Sequence, residues 1–208
     1  MTRRILQIAT GASLGLIVAL LVARSQAPAG DAPAPDDPVT RALLPDPFPA
    51  PPLRLRDPDG APVSLNVLRG SVAVLFFGYT HCPDVCPLTL ATLGRIQDEG
   101  DVGPVEVVFV SIDPERDTPR RLRDFSDGLP GRIRTWTADG PGVRDQANAY
   151  GVVVRRPDDS SDPDYLVDHT ARTFVLDPDG RVVATLPPMV SAEEARAVLD
   201  AVRRRYAP

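Results

Sequence analysis

Both cysteines of this chain, and one of its two histidines, lie in the stretch Phe76-Phe77-Gly78-Tyr79-Thr80-His81-Cys82-Pro83-Asp84-Val85-Cys86-Pro87. The residues just before Gly78, 72–77, are all apolar, which predicts a strand buried on both faces of a sheet. A helical pattern follows at 84–97. Reactive thiols at the junction of a strand and a helix indicate a functional site, and the rest of the chain is interpreted around it.

The remaining pattern alternates strands with helices and closes with a hairpin and a last helix. Further strands are expected at 105–112, 133–137 and 151–155, with a hairpin at 172–186. Further helices are expected at 118–125, 141–150 and 191–204. A turn signature at 57–60 adds an N-terminal β-hairpin. This order predicts a three-layer α/β fold, and a C-x-x-x-C motif after the first central strand makes the thioredoxin-like fold the natural candidate.

Three parts are expected along the chain. Residues 1–24 hold Arg3, Arg4 and a largely apolar run that would span about 28 Å as a helix, so a transmembrane anchor is predicted, with a cleaved signal peptide as the alternative. Residues 25–50, rich in Pro, Ala and Asp, predict a semi-rigid tether. Residues 51–208 would form the folded domain. The paired arginines favour a cytoplasmic N-terminus, which puts that domain on the periplasmic face of the cytoplasmic membrane.

Composition narrows the classes of function. The net charge of -5 offers no basic surface for nucleic acid, so a nucleic-acid partner is not expected. Two cysteines are too few for a disulfide scaffold, and they therefore either pair with each other or hold something.

The spacing of Cys82 and Cys86 suits more than one chemistry. On a helix, residues four apart share a face, with Cβ atoms about 5–6 Å apart, so the sulfurs could close a disulfide or bind one ion. The positive end of the helix would stabilise a thiolate, the form that metal binding and disulfide exchange both need. A structural disulfide stays open as an alternative.

The second histidine, His169, would complete the site. In the predicted fold, the segment before the C-terminal hairpin lies across from the cysteines, where thiol–disulfide enzymes carry a proline and this chain has Asp168 and His169. Two thiolates and one imidazole are one ligand short of structural zinc unless His81 turns inward. Soft sulfur donors select Cu(I), and an added imidazole also suits Cu(II). The residues thus favour a site for one copper ion at Cys82, Cys86 and His169.

Acidic residues follow the second buried strand. The segment Asp113-Pro114-Glu115-Arg116-Asp117 lies at the carboxyl end of a strand, where α/β proteins form ligand sites. It could equally be a helix entry with Asp117 or Thr118 as the N-cap. Asp113, Asp117, Asp168 and His81 are therefore candidates for contacts behind the ligands.

Three motifs together resemble a known family, the Sco/SenC copper metallochaperones. They are the cysteine motif from Phe77 to Pro87, the segment from Val110 to Pro119, and Tyr165-Leu166-Val167-Asp168-His169-Thr170. The resemblance implies a thioredoxin-like fold that binds one copper ion through Cys82, Cys86 and His169, with the family's acidic motif at Asp113 and Asp117. It also implies a role in loading the CuA centre of cytochrome c oxidase subunit II, by delivering copper, by reducing its cysteines, or both.

The sequence thus leaves a first hypothesis and two competitors. The first is a membrane-tethered copper chaperone, not an enzyme, that meets cytochrome c oxidase subunit II or a similar acceptor, with an upstream copper donor or a thioredoxin-like reductant as further partners. The alternative is a thiol–disulfide oxidoreductase that reduces an acceptor's cysteines. A peroxidase that uses one of the thiols is the third, and no supporting arginine–threonine constellation is present.

Overall fold

The computed structural model describes residues 37–138, 142–157 and 164–206. Its helices are α1 (Pro38–Ala42), α2 (Val85–Glu99), α3 (Pro119–Asp127), α4 (Gly142–Asn148) and α5 (Ala192–Tyr206), with a 3-10 turn at Leu65–Leu68. Its strands are β1 (Leu43–Pro49), β2 (Leu55–Arg56), β3 (Pro62–Val63), β4 (Val72–Gly78), β5 (Val105–Ser111), β6 (Ile133–Trp136), β7 (Val154–Arg155), β8 (Asp168–His169), β9 (Thr173–Leu176) and β10 (Arg181–Leu186).

A six-stranded sheet forms the middle layer, in the order β1-β10-β9-β4-β5-β6. Every residue of β4 is buried, because successive side chains enter separate cores on the two faces of the sheet. Phe76 packs in the core that includes residues of α2, α3 and α5, and Phe77 packs in the core that includes residues of α4. The three-layer α/β prediction is confirmed.

Local sequence signals place the turns and caps where they were expected. The same Asp-Pro-Asp-Gly turn occurs twice, and in each copy the first aspartate accepts backbone N–H bonds: Asp57 in the β2–β3 hairpin and Asp177 in the β9–β10 hairpin. Thr118 caps α3 by accepting the N–H of Arg121. Ser191 and Glu194 bond each other as a capping box at the start of α5.

The expected tether differs from the structure at its C-terminal end. Residues 38–49 form α1 and β1, and β1 pairs antiparallel with β10 as an edge strand of the main sheet. Proline is tolerated on an edge strand, because the side that faces solvent needs no ladder bond. The high proline content therefore did not exclude a strand, and the folded unit begins before residue 51.

The predicted transmembrane helix at 1–24 lies outside the described residues, as do residues 25–36 of the tether. Among the helices of the described ranges, none combines the length and the apolar character needed to cross a membrane.

Candidate metal centre

Three connecting segments meet at the end of the sheet where β4 and β5 have their carboxyl ends. Strands β4 and β5 are parallel, with Gly78 beside Ser111, so both stop at this end of the sheet. Strand β9 is antiparallel to β4 and begins here, because Thr173 pairs with Phe76. The cysteine motif, the acidic segment after β5 and the segment before β9 are consequently neighbours, as the sequence predicted.

Only one of the two cysteines belongs to the helix. Cys82 lies in a turn before α2, where its N–H donates to the carbonyl of Tyr79 at 3.2 Å. Cys86 is the second residue of α2 and is fully buried, whereas Cys82 is half-buried. The Cys86 N–H donates to Cys82 Sγ at 3.5 Å, and both thiols are free. Cys82 therefore lies outside the helix, as the expected bounds of 84–97 implied, and the two cysteines do not share one helical face.

The two thiols have opposite acid strengths. A hydrogen bond from the Cys86 thiol lowers the pKa of Cys82 to about 5, helped by the backbone N–H groups of Asp84 and Cys86 and by nearby His169. The same hydrogen bond raises the pKa of Cys86, and burial and the charge of Cys82 raise it further. At neutral pH the pair is thus one thiolate with one proton held on the buried sulfur.

Gly78 makes room for the buried sulfur. A Cβ atom at this position would lie 2.8 Å from Cys86 Sγ and 2.9 Å from a ring carbon of Phe109. No side chain fits there without displacing one of them. The sequence signal for this role is a glycine at the end of an otherwise apolar strand, which was not singled out from the sequence.

His169 lies half-buried in β8, which pairs with β7. Its Nδ1 atom is 3.3 Å from the carbonyl oxygen of Val167, and its ring meets that of Tyr79 edge to face at 5.9 Å. Its Nε2 atom is buried and has no hydrogen-bond partner among the described residues. A buried nitrogen without a partner is costly unless something occupies it, and imidazole nitrogen is a good ligand for copper.

Among the described residues, the candidate copper ligands do not form a coordination shell. Within the described ranges, no three His, Cys, Asp or Glu side chains are close enough together to hold a metal ion. The charge of nearby His169 is the last of the causes that lower the pKa of Cys82. A thiolate, an adjacent thiol and an unpartnered imidazole nitrogen fit the donor set of a soft metal ion, which would draw them together.

Asp117 binds the turn that contains Cys82. Its buried carboxylate accepts the N–H of Thr80 at 3.1 Å, the hydroxyl of Thr80 at 2.6 Å and the hydroxyl of Ser111 at 2.6 Å. Burial raises the pKa of Asp117, and these bonds oppose that rise. The Nδ1 atom of His81 is 3.5 Å from the Asp117 carboxylate, so the His81 ring contacts this carboxylate. Asp117 thus holds the turn that carries Cys82.

Asp113 and Asp168 differ sharply in environment. Asp113 is fully buried and bonds Arg116 at 2.6 Å and the hydroxyl of Tyr165 at 2.9 Å. Asp168 is exposed beside His169. Arg116 and Arg121, which donates to the hydroxyl of Thr80 at 3.1 Å, were not singled out from the sequence. Arginine is common on surfaces, and only the fold shows which guanidinium lies against the site.

The SCO1/SenC family model matches residues 46–204, which covers the sheet, the cysteine pair and His169. The chain belongs to the SCO1/SenC family. An SCO2-like protein of Rickettsia prowazekii is 30% identical over 149 residues, covering 69% of this chain and 71% of that protein. The mitochondrial SCO2 homolog of Bos taurus is 34% identical over 143 residues, covering 67% of this chain and 53% of that protein. The chain thus matches about half the length of this mitochondrial relative.

Solved structures agree with the fold. Arabidopsis thaliana ScoI with copper bound has a TM-score of 0.68 at 28% identity, covering 74% of this chain and 98% of that one. Bradyrhizobium japonicum ScoI with copper bound has a TM-score of 0.63 at 34% identity, covering 74% and 97%. The predicted family and the predicted thioredoxin-like fold are therefore confirmed, and these relatives bind copper.

Proposed function

We propose that this SCO1/SenC protein is a copper chaperone that holds one copper ion through Cys82, Cys86 and His169 and helps to assemble the CuA centre of cytochrome c oxidase. One observation carries the proposal: beside the bonded pair Cys82 and Cys86 lies His169, whose buried Nε2 atom has no hydrogen-bond partner among the described residues. Copper bound in relatives of the same fold supports the choice of metal.

Proton transfer would couple the cysteine pair to its cargo. Cys82 is a thiolate at neutral pH, whereas Cys86 keeps its proton and must release it to bind copper as a second thiolate. Protonation of Cys86 during release would weaken the site as the copper leaves. The pair is therefore suited to a carrier that has to give up its ion.

The unequal burial of the thiols suggests how an acceptor would approach. Cys82 is half-buried and Cys86 is fully buried. An acceptor cysteine would reach the ion from the side of Cys82 and displace that ligand first. We propose delivery to cytochrome c oxidase subunit II, or to a similar acceptor, and loading by an upstream donor; membership of the family and the partial exposure of Cys82 support this proposal.

The N-terminal sequence motivates the proposed location. An anchor at 1–24 and a tether ending near residue 37 would hold the domain at the periplasmic face of the cytoplasmic membrane. A domain on a tether can reach a membrane-bound acceptor without leaving the membrane.

The alternative is that the same thiols reduce the acceptor. The Cys82 thiolate would attack an acceptor disulfide and form a mixed disulfide, and Cys86, on losing its proton, would attack Cys82 Sγ. Two electrons then pass to the acceptor cysteines, a Cys82–Cys86 disulfide forms, and a thioredoxin-like reductant restores the thiols. The low pKa of Cys82, set first by its bond from Cys86, favours this chemistry.

Complementation separates the two roles. In a strain that lacks this chain, wild type, Cys82→Ser, Cys86→Ser and His169→Ala are expressed to equal level, and oxidase activity and CuA content are measured. Copper delivery predicts that all three variants fail. Reduction alone predicts that His169→Ala restores oxidase while the two serine variants fail. Full CuA content with both serine variants would contradict either role.

A further inference from the structure

The imidazole of His169 is held weakly by its own bonds. Strand β8 is two residues long and, among the described strands, pairs only with the two-residue β7, in a small sheet separate from the main one. The Nδ1 contact to Val167 is long at 3.3 Å, and Nε2 has no partner among the described residues. The residues that flank His169 therefore contribute to the position of its ring.

Tyr165, four residues before His169, is firmly attached. It is buried although Leu166 beside it is 60% exposed. Its hydroxyl donates to Asp113 at 2.9 Å, its carbonyl accepts from Arg116 at 2.8 Å, and its ring lies 3.4 Å from the carbon of the Arg116 guanidinium. Three different parts of one residue thus bind the segment after β5.

A second guanidinium also contacts Tyr165. Arg156, just after β7, lies 4.8 Å from the Tyr165 ring and donates to its hydroxyl. It also lies 3.9 Å from Asp113 and pairs with Glu115. Both the end of β7 and the approach to β8 are consequently tied to one buried carboxylate.

Arg116, which binds Tyr165, also lies close to Tyr79, the aromatic residue that packs against the His169 imidazole. The guanidinium carbon of Arg116 is 5.8 Å from the centre of the Tyr79 ring, and the Tyr79 ring packs edge to face on His169. Arg116 itself is fixed by Asp113 at 2.6 Å. One contact chain therefore runs from a buried carboxylate through an arginine and an aromatic ring to the imidazole.

We propose that Tyr165 is a positioning residue that, locked between Arg116, Arg156 and Asp113, sets where the imidazole of His169 stands relative to the cysteines. This inference rests on the proposed function, because it assumes that His169 is a copper ligand. The partners of Tyr165 described above are Asp113, Arg116 and Arg156, and its proposed effect on copper passes through His169. Partners behind a metal ligand orient it, and their loss commonly weakens metal binding about 10–100-fold.

A substitution cycle tests the proposal in the reduced protein, with Cu(I) affinity measured against a chromogenic Cu(I) chelator. Tyr165→Phe removes the hydroxyl bond to Asp113 and keeps the ring. It is made alone and together with His169→Ala. Tyr150→Phe is the matched control, since it also removes a buried phenol bond, at 2.7 Å to the carbonyl of Pro51.

The proposal predicts that Tyr165→Phe weakens Cu(I) binding about tenfold when His169 is present and has no effect when His169 is alanine. Tyr150→Phe should change neither affinity. An equal loss in both backgrounds, or no loss in either, would overturn the positioning role. If His169→Ala alone leaves the affinity unchanged, the proposed ligand set fails instead.

A copper-free measurement keeps the two failures apart. The Thr170 N–H bonds to the carbonyl of Val153 at 3.1 Å, so its hydrogen exchange reports how firmly the end of β8 is held. Tyr165→Phe should speed this exchange about tenfold, and Tyr150→Phe should leave it unchanged. Unaltered exchange in Tyr165→Phe would show that Tyr165 does not hold the histidine segment, whatever the copper affinity.

Discussion

At the scale of the residue, the site is defined by the different protonation states of its two cysteines. The Cys86 N–H donates to Cys82 Sγ at 3.5 Å, and the buried thiol of Cys86 lowers the pKa of Cys82. At neutral pH, Cys82 is therefore deprotonated and can bind a metal ion or attack a disulfide, whereas Cys86 keeps its proton. Isolated cysteines, with pKa about 8.5, would both be mostly protonated there.

The pH dependence of alkylation tests this difference. Because the pKa of Cys82 is lowered to about 5, its thiolate persists at higher pH and is lost as the pH falls through that value. We expect iodoacetamide to modify Cys82 in the reduced protein at a nearly constant rate from about pH 6 to 8, where an ordinary cysteine speeds up by more than about tenfold.

Cys86→Ala is the informative variant for the same measurement. It removes the thiol that is the largest cause of the low pKa, so the alkylation rate of Cys82 should become steeply pH-dependent near neutrality. A steep profile already in the wild type, or a flat one that survives Cys86→Ala, would refute this effect of Cys86 on Cys82.

At the scale of the element, the end of β4 and the start of α2 fix the cysteine geometry. The apolar run of β4, the repeated Asp-Pro-Asp-Gly turns and the capping box of α5 were all predictable, because each is a local signal. The place of Cys82 outside α2 also agrees with the helix expected at 84–97, so the i, i+4 spacing of one helical face does not describe the cysteine pair. The packing of Gly78 against Cys86 was not predictable from local signals, because it is a contact between the end of β4 and the start of α2.

Gly78→Ala tests that junction. The added methyl would stand 2.8 Å from Cys86 Sγ, so the sulfur or β4 has to move. We expect a loss of about 1–3 kcal/mol in the free energy of unfolding, as for other overpacked cores, together with weaker Cu(I) binding. Chemical denaturation and chelator competition measure the two effects.

Gly142→Ala is the matched control, because a Cβ atom there meets nothing within 4 Å. Its stability and its copper affinity should remain close to the wild type. Equal behaviour of the two alanine variants would mean that Gly78 has no special role in seating the sulfur.

At the scale of the whole molecule, the sequence predicted the layers and brought the cysteines and His169 to one end of the sheet, because strand order follows from the alternation of elements. It could not predict α1 and β1, since a proline-rich segment becomes an edge strand only when the edge of β10 is there to pair with it. Nor could it predict the Tyr165–Asp113 bond, whose partners are 52 residues apart.

The central claim is that one copper ion is held by two sulfurs and one imidazole nitrogen. X-ray absorption on the Cu(I) complex of the reduced protein tests it most directly, with His169→Ala measured beside the wild type. We predict two sulfur neighbours and one nitrogen in the wild type, and loss of that nitrogen with at least about tenfold weaker binding in His169→Ala. An identical coordination shell and affinity in the two proteins would contradict the claim.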